Sequence, residues 1–199
     1  MPETVTSADE VAQRIRLLAA QRDVTVVAIA GYGGSGKSTL ARALVALLPE
    51  AERVRGDDFL DPLGSRDRSD DWAALHHDEL GAVLDALRAG EPARFLPVDW
   101  STGGRQPERT APVAAIQLVD AVGLLHPELL PRIDLAVWVD VPLEVATERG
   151  MRRDREAGND HDALWREVWA LNERGFDALH RPRERADVRD VGGQAPAGG

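Results

Sequence analysis

The sequence lacks several features that would place it in a specialised class of protein. It contains no cysteine, which excludes disulfide frameworks and thiolate metal sites. No apolar stretch approaches the roughly 20 residues that a membrane span requires. The first ten residues, "MPETVTSADE", are acidic and polar, unlike a secretory signal peptide. These absences predict a cytoplasmic protein that has no membrane partner.

Positive charge is also scarce, with 24 basic against 34 acidic side chains and a formal net charge of −10. An acidic surface repels nucleic acid, so no nucleic-acid partner is predicted, and a polyanionic ligand would need a locally basic site. A chain of 199 residues is long enough for one domain with a sizeable core. We predict a single domain over residues 1–191 and a disordered tail over 192–199, and we leave a homodimer open.

The apolar residues alternate between strand and helix patterns along the chain. The run "VTVVAIA" at 24–30 is short and β-branched, which is typical of a strand buried on both faces of a parallel sheet. Further strands are predicted near 54, 93–100, 114–122, 134–141 and 186–193. Helices are predicted at 8–22, after the capping box "SADE", at 37–48 and 71–90, from about 143 through the basic cluster at 149–153, and at 162–179. This order predicts an α/β fold in which a parallel sheet is flanked by helices.

The segment "GYGGSGKST" at 31–39 follows the first apolar strand and opens a helix, and it fits the phosphate-loop pattern G-x-x-x-x-G-K-[ST]. Its glycines let backbone N–H groups turn toward an anion, which the positive end of the helix also attracts. Lys37 can reach the outer phosphates, and the Ser38 hydroxyl can join a magnesium shell. The predicted cofactors are therefore ATP and Mg²⁺. The predicted cofactor-binding residues are Gly31, Gly33, Gly34, Ser35, Gly36, Lys37, Ser38 and Thr39.

Phosphate transfer also needs a carboxylate near the acceptor hydroxyl and cations around the migrating charge. Asp57, at the end of a predicted strand, can accept a hydroxyl proton, although a solvated loop carboxylate would look the same. Asp120 ends another strand and could orient the water of a metal ion or belong to a turn. Arg149 and Arg153 lie four residues apart, hence on one helix face. They could close over the phosphates or form a solvated face paired with neighbouring acids.

Several segments together resemble the uridine kinase-like family of P-loop kinases, with weaker similarity to bacterial pantothenate kinase. These segments are "GYGGSGKST", "GDDFL", "DDWAAL", "PVDWSTGGR" and "ERGMRRD", and the resemblance spans about residues 24–191. It implies a P-loop NTPase fold with an arginine-bearing lid, and transfer of the γ-phosphate of Mg-ATP to a hydroxyl of a nucleoside or related small molecule. It further implies that Lys37, Arg149 and Arg153 contact the phosphates, that Asp57 is the catalytic base and that Asp71 contacts the acceptor.

Two positions depart from the pattern of that family. Gly103 stands where the family has a histidine that reads the base, and a glycine side chain cannot hydrogen-bond a pyrimidine. Asp120 precedes an alanine where the family has Glu followed by Gly. Trp100, through stacking, and Arg105, through charge, are further candidate contacts of the acceptor, with packing and a solvated loop as their respective alternatives.

Two other functions are kept as alternatives: a nucleotide-dependent ATPase or switch, and a catalytically degenerate nucleotide-binding module. The sequence has no Asn-Lys-x-Asp guanine motif. His76 and His77 are adjacent and cannot share a helix face, so no metal pair is predicted there. Three tryptophans are predicted to have packing roles, namely Trp138, Trp165 and Trp169. Three histidines are isolated in the sequence, namely His126, His161 and His180.

Overall fold

The fold is built around a parallel β-sheet. The computed structural model describes residues 2–192. The strands are β1 (Glu3–Val5), β2 (Thr25–Ala30), β3 (Ala51–Arg55), β4 (Ala93–Phe95), β5 (Arg109–Ala111), β6 (Ile116–Asp120), β7 (Leu135–Val139) and β8 (Val188–Asp190). The helices are α1 (Ala8–Ala19), α2 (Lys37–Leu47), α3 (His77–Arg88), α4 (Leu143–Glu156), α5 (Asp162–Leu164), α6 (Ala170–His180) and α7 (Pro182–Arg185).

The sheet has the strand order β1-β8-β7-β2-β6-β3, and every neighbouring pair in it is parallel. Strand β2 lies between β6 and β7, and all six of its residues are buried. One face of the sheet packs on α1 and α2 through residues such as Ile15 and Leu44. The other face packs on α3 and α6 through residues such as Leu84 and Phe176. The predicted α/β architecture is therefore confirmed.

Two helices differ in their bounds from the ones that the sequence pattern predicted. Helix α1 ends at Ala19 rather than near residue 22, and α3 begins at His77 rather than near residue 71. Before α3, the chain turns through Trp72, whose φ of 50° is incompatible with a right-handed helix. At the start of α1, the Ser7 hydroxyl accepts from the Glu10 N–H at 3.3 Å, as a capping box requires.

Two short strands escaped the sequence analysis because their pairing is entirely tertiary. β1 pairs with β8, which is separated from it by most of the chain. β5 lies in a segment for which no strand was predicted, and it pairs antiparallel with β4 in a separate two-stranded sheet. Three-residue strands carry too little periodicity to be recognised without their partners. None of the described helices is both long and apolar enough to cross a membrane.

The helical segment at 162–180 is not uniform. Residues Trp165–Trp169 form a π-helical turn between α5 and α6. Such turns insert an extra residue into a helix and occur often at functional sites. In the predicted tail, the Gly192 N–H donates to Asp190 at 2.9 Å, and residues 193–199 lie outside the described part of the chain.

We expect the packing of α2 on the sheet to contribute substantially to stability. Leu44 on α2 is fully buried, so Leu44→Ala should lower the free energy of unfolding by about 2–5 kcal/mol. Leu17 on α1 is 56% exposed, so Leu17→Ala serves as the control and should change it by about 0.5 kcal/mol or less. Urea denaturation of both variants measures the difference, and equal losses would contradict the described packing.

Candidate functional site

A cleft of about 670 Å³ opens at the carboxyl ends of β2, β3 and β6. Parallel α/β sheets bind their ligands at this edge. Most of the residues predicted for the site line the cleft: Gly33, Gly34, Gly36, Lys37, Ser38, Thr39, Asp57, Trp100, Asp120, Arg149 and Arg153. Four predicted residues are not part of the lining, namely Gly31, Ser35, Asp71 and Arg105.

The phosphate loop joins β2 to the first turn of α2 and surrounds a buried lysine. The Lys37 ammonium donates to the Tyr32 carbonyl at 2.7 Å. Burial lowers the pKa of Lys37, and three carboxylates, those of Glu173, Asp57 and Asp120, oppose that change. Because a buried ammonium needs negative charge nearby, Lys37 marks the position where the cleft can accommodate an anion.

Helix α4 packs directly against the phosphate loop. Gly34 has a φ of 81°, and a Cβ built on it would lie 2.1 Å from the Ala146 carbonyl oxygen on α4. Only glycine therefore fits at this position. The close approach brings the Arg149 and Arg153 side chains of α4 to the wall of the cleft.

A hydroxyl and a carboxylate form a pair at the base of the cleft. The Ser38 hydroxyl donates to Asp120 at 2.8 Å. The Arg53 guanidinium donates to both oxygens of Asp120, each at 2.7 Å. Hydroxyl and carboxylate oxygens are the donors that Mg²⁺ prefers, so this pair fits a magnesium ion. Because Arg53 already occupies both Asp120 oxygens, Asp120 is better suited to orienting Ser38 and metal-bound water than to direct ligation.

Asp57 stands on a 3₁₀ turn that follows β3. Its carboxylate is half exposed in the cleft and lies 3.8 Å from the Arg55 guanidinium. Burial raises the pKa of Asp57, Lys37 opposes the rise, and Asp120 adds to it. The Trp100 indole N–H donates to the Asp57 carbonyl at 3.0 Å, which ties the loop between β4 and β5 to the edge of the cleft.

Residues 143–169, which we call the lid, form a connected network over the cleft. The Arg153 guanidinium donates to Asp154 at 2.9 Å and lies 5.9 Å from the centre of the Trp165 ring. The Trp165 indole N–H also donates to Asp154, at 2.9 Å. Trp165 and Trp169 form an edge-to-face pair with ring centres 4.8 Å apart.

The predicted packing role is confirmed for Trp138, which is buried in the core, but is incomplete for Trp165 and Trp169. Both of those side chains line the cleft as well as packing, because the π-helical turn directs them toward it. Sequence reasoning also missed Arg53 and Glu173. Glu173 is buried on α6, and its carboxylate accepts from the Gly33 N–H at 2.7 Å. No motif surrounds Glu173, and 140 residues separate it from Gly33, so no sequence signal could have found it.

Asp71 lies in a cluster of histidines beside the cleft. Its carboxylate contacts the Nε2 atoms of both His126, at 3.1 Å, and His180. The Glu128 N–H donates to Nδ1 of His126, so in the neutral ring the proton is on Nε2 and is donated to Asp71. Burial opposes ionisation of Asp71, but the contacts with the two imidazoles outweigh it and lower the pKa of Asp71.

His126 and His180 are isolated in the sequence, but the fold brings them together. Their rings are 5.0 Å apart, and His77 stacks on His126 at 4.1 Å. The turn before α3 and the last turn of α6 bring together residues that are far apart in sequence. The third of these histidines, His161, lies in the lid, where its Nδ1 atom is 3.2 Å from the Asp154 carboxylate.

Arg105 also lies away from the cleft. Its guanidinium pairs with Glu79 at 2.6 and 2.9 Å and donates to the Leu96 carbonyl. Gly103 has a φ of 74°, and a Cβ there would lie 2.8 Å from Leu63, so a histidine at this position would strain the loop. Contact of Asp71 or Arg105 with an acceptor stays a prediction.

Comparison with known proteins shows the family to which this chain belongs. A family profile described as "AAA domain" matches residues 26–179, which is more than half of the chain. A uridine kinase of Chloroflexus aurantiacus is 30% identical over 141 residues, which cover 65% of this chain and 67% of that protein. Uridine-cytidine kinase C of Dictyostelium discoideum is 25% identical over 150 residues, which cover 72% of this chain. The chain spans 33% of the length of the Dictyostelium protein.

A solved structure extends the similarity to the whole fold. A protein of Silicibacter sp. TM1040 assigned as a fructose transport system kinase superimposes with a TM-score of 0.75 and 24% identity. The alignment covers 94% of this chain and all of the other. At this level of identity the match establishes the P-loop NTPase fold, which the sequence predicted.

The histidine cluster should make stability depend on pH. Burial and the neighbouring His126 lower the pKa of His77 to about 4, whereas an unfolded histidine titrates near 6.5. Below about pH 6.5 the unfolded chain therefore binds a proton that the folded chain refuses, and stability falls as pH drops toward 4. Because solvent screens this partly exposed ring, the group should contribute a loss of about 1 kcal/mol between pH 7 and pH 5.

Chemical denaturation at the two pH values tests this expectation. His77→Gln removes the titrating ring and should lose less stability between pH 7 and pH 5 than the original protein. His76→Gln changes the adjacent histidine, which lies 3.6 Å from the Glu79 carboxylate, and should lose as much as the original protein. Equal losses in all three proteins would contradict the assignment.

Proposed function

The chain belongs to the AAA-domain family and to the uridine kinase-like P-loop kinases, and from that premise we propose that it transfers the γ-phosphate of ATP to a hydroxyl of a small molecule. One observation supports this most strongly. A single cleft holds the phosphate loop, the Ser38–Asp120 pair, the Asp57 carboxylate and two lid arginines. Phosphoryl transfer requires each of these chemical groups.

The donor set at the base of the cleft supports use of magnesium. The Ser38 hydroxyl would bind the ion, Asp120 would orient Ser38 and the metal-bound water, and bound magnesium would supply positive charge near the phosphates. Arg53 fixes the Asp120 carboxylate through two hydrogen bonds. Its contribution is to keep Asp120 directed at Ser38, 2.8 Å away.

Asp57 would orient the acceptor hydroxyl and accept its proton. Its pKa is raised by burial, and a carboxylate whose pKa lies closer to neutrality is a better general base at pH 7. Lys37, Arg149 and Arg153 would neutralise charge on the migrating phosphoryl group. All three line the same cleft as Asp57.

The lid would keep water away from the reacting phosphate. Trp165 is buried, and Trp169 packs edge-to-face against it along the wall of the cleft. A kinase that admitted water would hydrolyse ATP instead of transferring its phosphate. The two tryptophans suit this task because their rings form an apolar barrier. The Arg153 guanidinium lies beside that barrier, 5.9 Å from the centre of the Trp165 ring.

We propose a nucleoside or related small polyhydroxylated molecule as the acceptor. The relatives named uridine kinase support a nucleoside. Gly103, with a φ of 74°, cannot hydrogen-bond a pyrimidine through its side chain, which favours recognition of the acceptor by other groups. Trp100 is 47% exposed at the cleft and offers a stacking surface. A cytoplasmic location, with no nucleic-acid or membrane partner, is part of the same proposal.

An ADP-release assay with Mg-ATP and a panel of nucleosides, pantothenate, sugars and other small alcohols tests the proposal. One acceptor class should raise turnover well above the rate with ATP alone. Asp57→Asn should then lower kcat about 10²–10⁴-fold, because it removes the base. The KM for ATP should change little, because Asp57 is proposed to contact the acceptor and not the nucleotide.

Asp9→Asn makes the same chemical change at an exposed position of α1 and should keep full activity. Turnover of ATP that no acceptor increases would favour an ATPase or switch. Nucleotide binding without any turnover would favour a degenerate nucleotide-binding module.

A further inference from the structure

Glu173 is the one carboxylate that touches the backbone of the phosphate loop among the described hydrogen bonds. It lies on α6 and is buried, and it accepts from the Gly33 N–H at 2.7 Å. It also lines the cleft together with Gly33 and Lys37. Its position is therefore inside the region that the loop provides for an anion.

A polyphosphate in that loop and a charged Glu173 repel each other. The proposed nucleotide carries several negative charges, and repulsion between like charges is strong in a partly buried site. Lys37, the cation that interacts with Glu173, carries one positive charge and shares it with Asp57 and Asp120. Protonation of Glu173 would remove the repulsion while leaving its Oε1 atom able to accept the hydrogen bond from Gly33.

The other groups around Glu173 make its charged form costly. Burial is the largest cause and raises the pKa of Glu173. Lys37 from α2, the Gly33 N–H from the loop and the Trp72 side chain from the turn before α3 lower it, and Asp177 on its own helix raises it. The phenol of Tyr32 faces the same carboxylates, and its own pKa is raised. Burial outweighs the favourable contacts, so the pKa of Glu173 rises to about 7.

We propose that Glu173 takes up one proton from solvent when a nucleotide polyphosphate binds, so that nucleotide affinity is coupled to pH through this side chain. This inference rests on the proposed function. The proton adds to the Oε2 atom, and no other bond forms or breaks. Glu173 acts as a positioning residue, because it holds the loop at Gly33 in both forms and changes only its charge.

Because nucleotide binding is accompanied by uptake of a proton, raising the pH should weaken nucleotide binding. Below about pH 7 Glu173 is already neutral and affinity is at its highest. Above pH 7 each unit of pH should weaken binding by up to tenfold, because one proton must be taken up. Between pH 7 and pH 8.5 the dissociation constant should rise about tenfold.

Calorimetric titration with magnesium and a β,γ-imido analogue of ATP measures this coupling without turnover. Titrations at pH 7.5 in two buffers of different ionisation enthalpy should give an uptake of about 0.5–1 proton per nucleotide. Glu173→Gln keeps the acceptor for the Gly33 N–H but cannot titrate. It should take up no proton beyond that of the analogue itself, bind more tightly than the original protein at pH 8.5, and lose the pH dependence.

Glu91→Gln is the control, because Glu91 follows α3, is exposed and is not part of the cleft lining. It should retain the proton uptake and the pH dependence of the original protein. Equal proton uptake in the original protein and in Glu173→Gln would overturn the inference while leaving the kinase proposal intact. Failure of the original protein to bind the analogue would overturn both.

A second measurement keeps the test decisive if Glu173→Gln does not fold. Infrared difference spectra of the unaltered protein, recorded at pH 8 with and without the magnesium-bound analogue, should show the carbonyl stretch of a neutral carboxylic acid appearing on binding. No such band, together with no proton uptake, would overturn the inference. Activity toward an acceptor is not needed for either measurement, so a protein that binds nucleotide without transferring phosphate is still informative.

Discussion

The site depends on the charge of one buried lysine. Lys37 lies at the start of α2, and burial disfavours its ammonium form. Three carboxylates compensate, and each comes from a different part of the fold: Asp57 after β3, Asp120 at the end of β6, and Glu173 on α6. The buried cation is therefore maintained by the whole arrangement of the sheet and its helices, and the same arrangement creates a cleft in which phosphate charge can be balanced.

The close packing of α4 on the phosphate loop connects this charge balance to the lid. Because Gly34 has no side chain, the Ala146 carbonyl of α4 can pack against the loop. The same close packing places the Arg149 and Arg153 side chains in the wall of the cleft. Asp154 then fixes Arg153 and Trp165 in one network. Motion of the lid would thus change the position of both cations relative to the loop, which is the coupling that a kinase requires between closure and chemistry.

Sequence reasoning predicted the parts of the site that are encoded locally. The loop from Gly31 to Thr39 carries its own strand, turn and helix signals, and Asp57 and Asp120 end strands that apolar runs identify. Arg53 could not be recognised in the same way, because its role comes from a pairing of β3 with β6 that brings it beside Asp120. Asp71 was predicted to contact the acceptor, yet the structure places it among His126, His180 and the end of α6.

The sequence by itself determined the α/β class, the phosphate loop and the positions of the central strands β2, β3, β6 and β7, because hydrophobic period and glycine spacing act over a few residues. Only the tertiary structure decided which distant side chains complete the site. The Glu173 carboxylate accepts a hydrogen bond from the Gly33 N–H, although 140 residues separate the two in sequence. Three histidines from separate segments likewise lie together beside Asp71. These contacts follow from how helices dock on the sheet, and docking is governed by burial of whole faces, which leaves no mark at the individual polar residues it brings together.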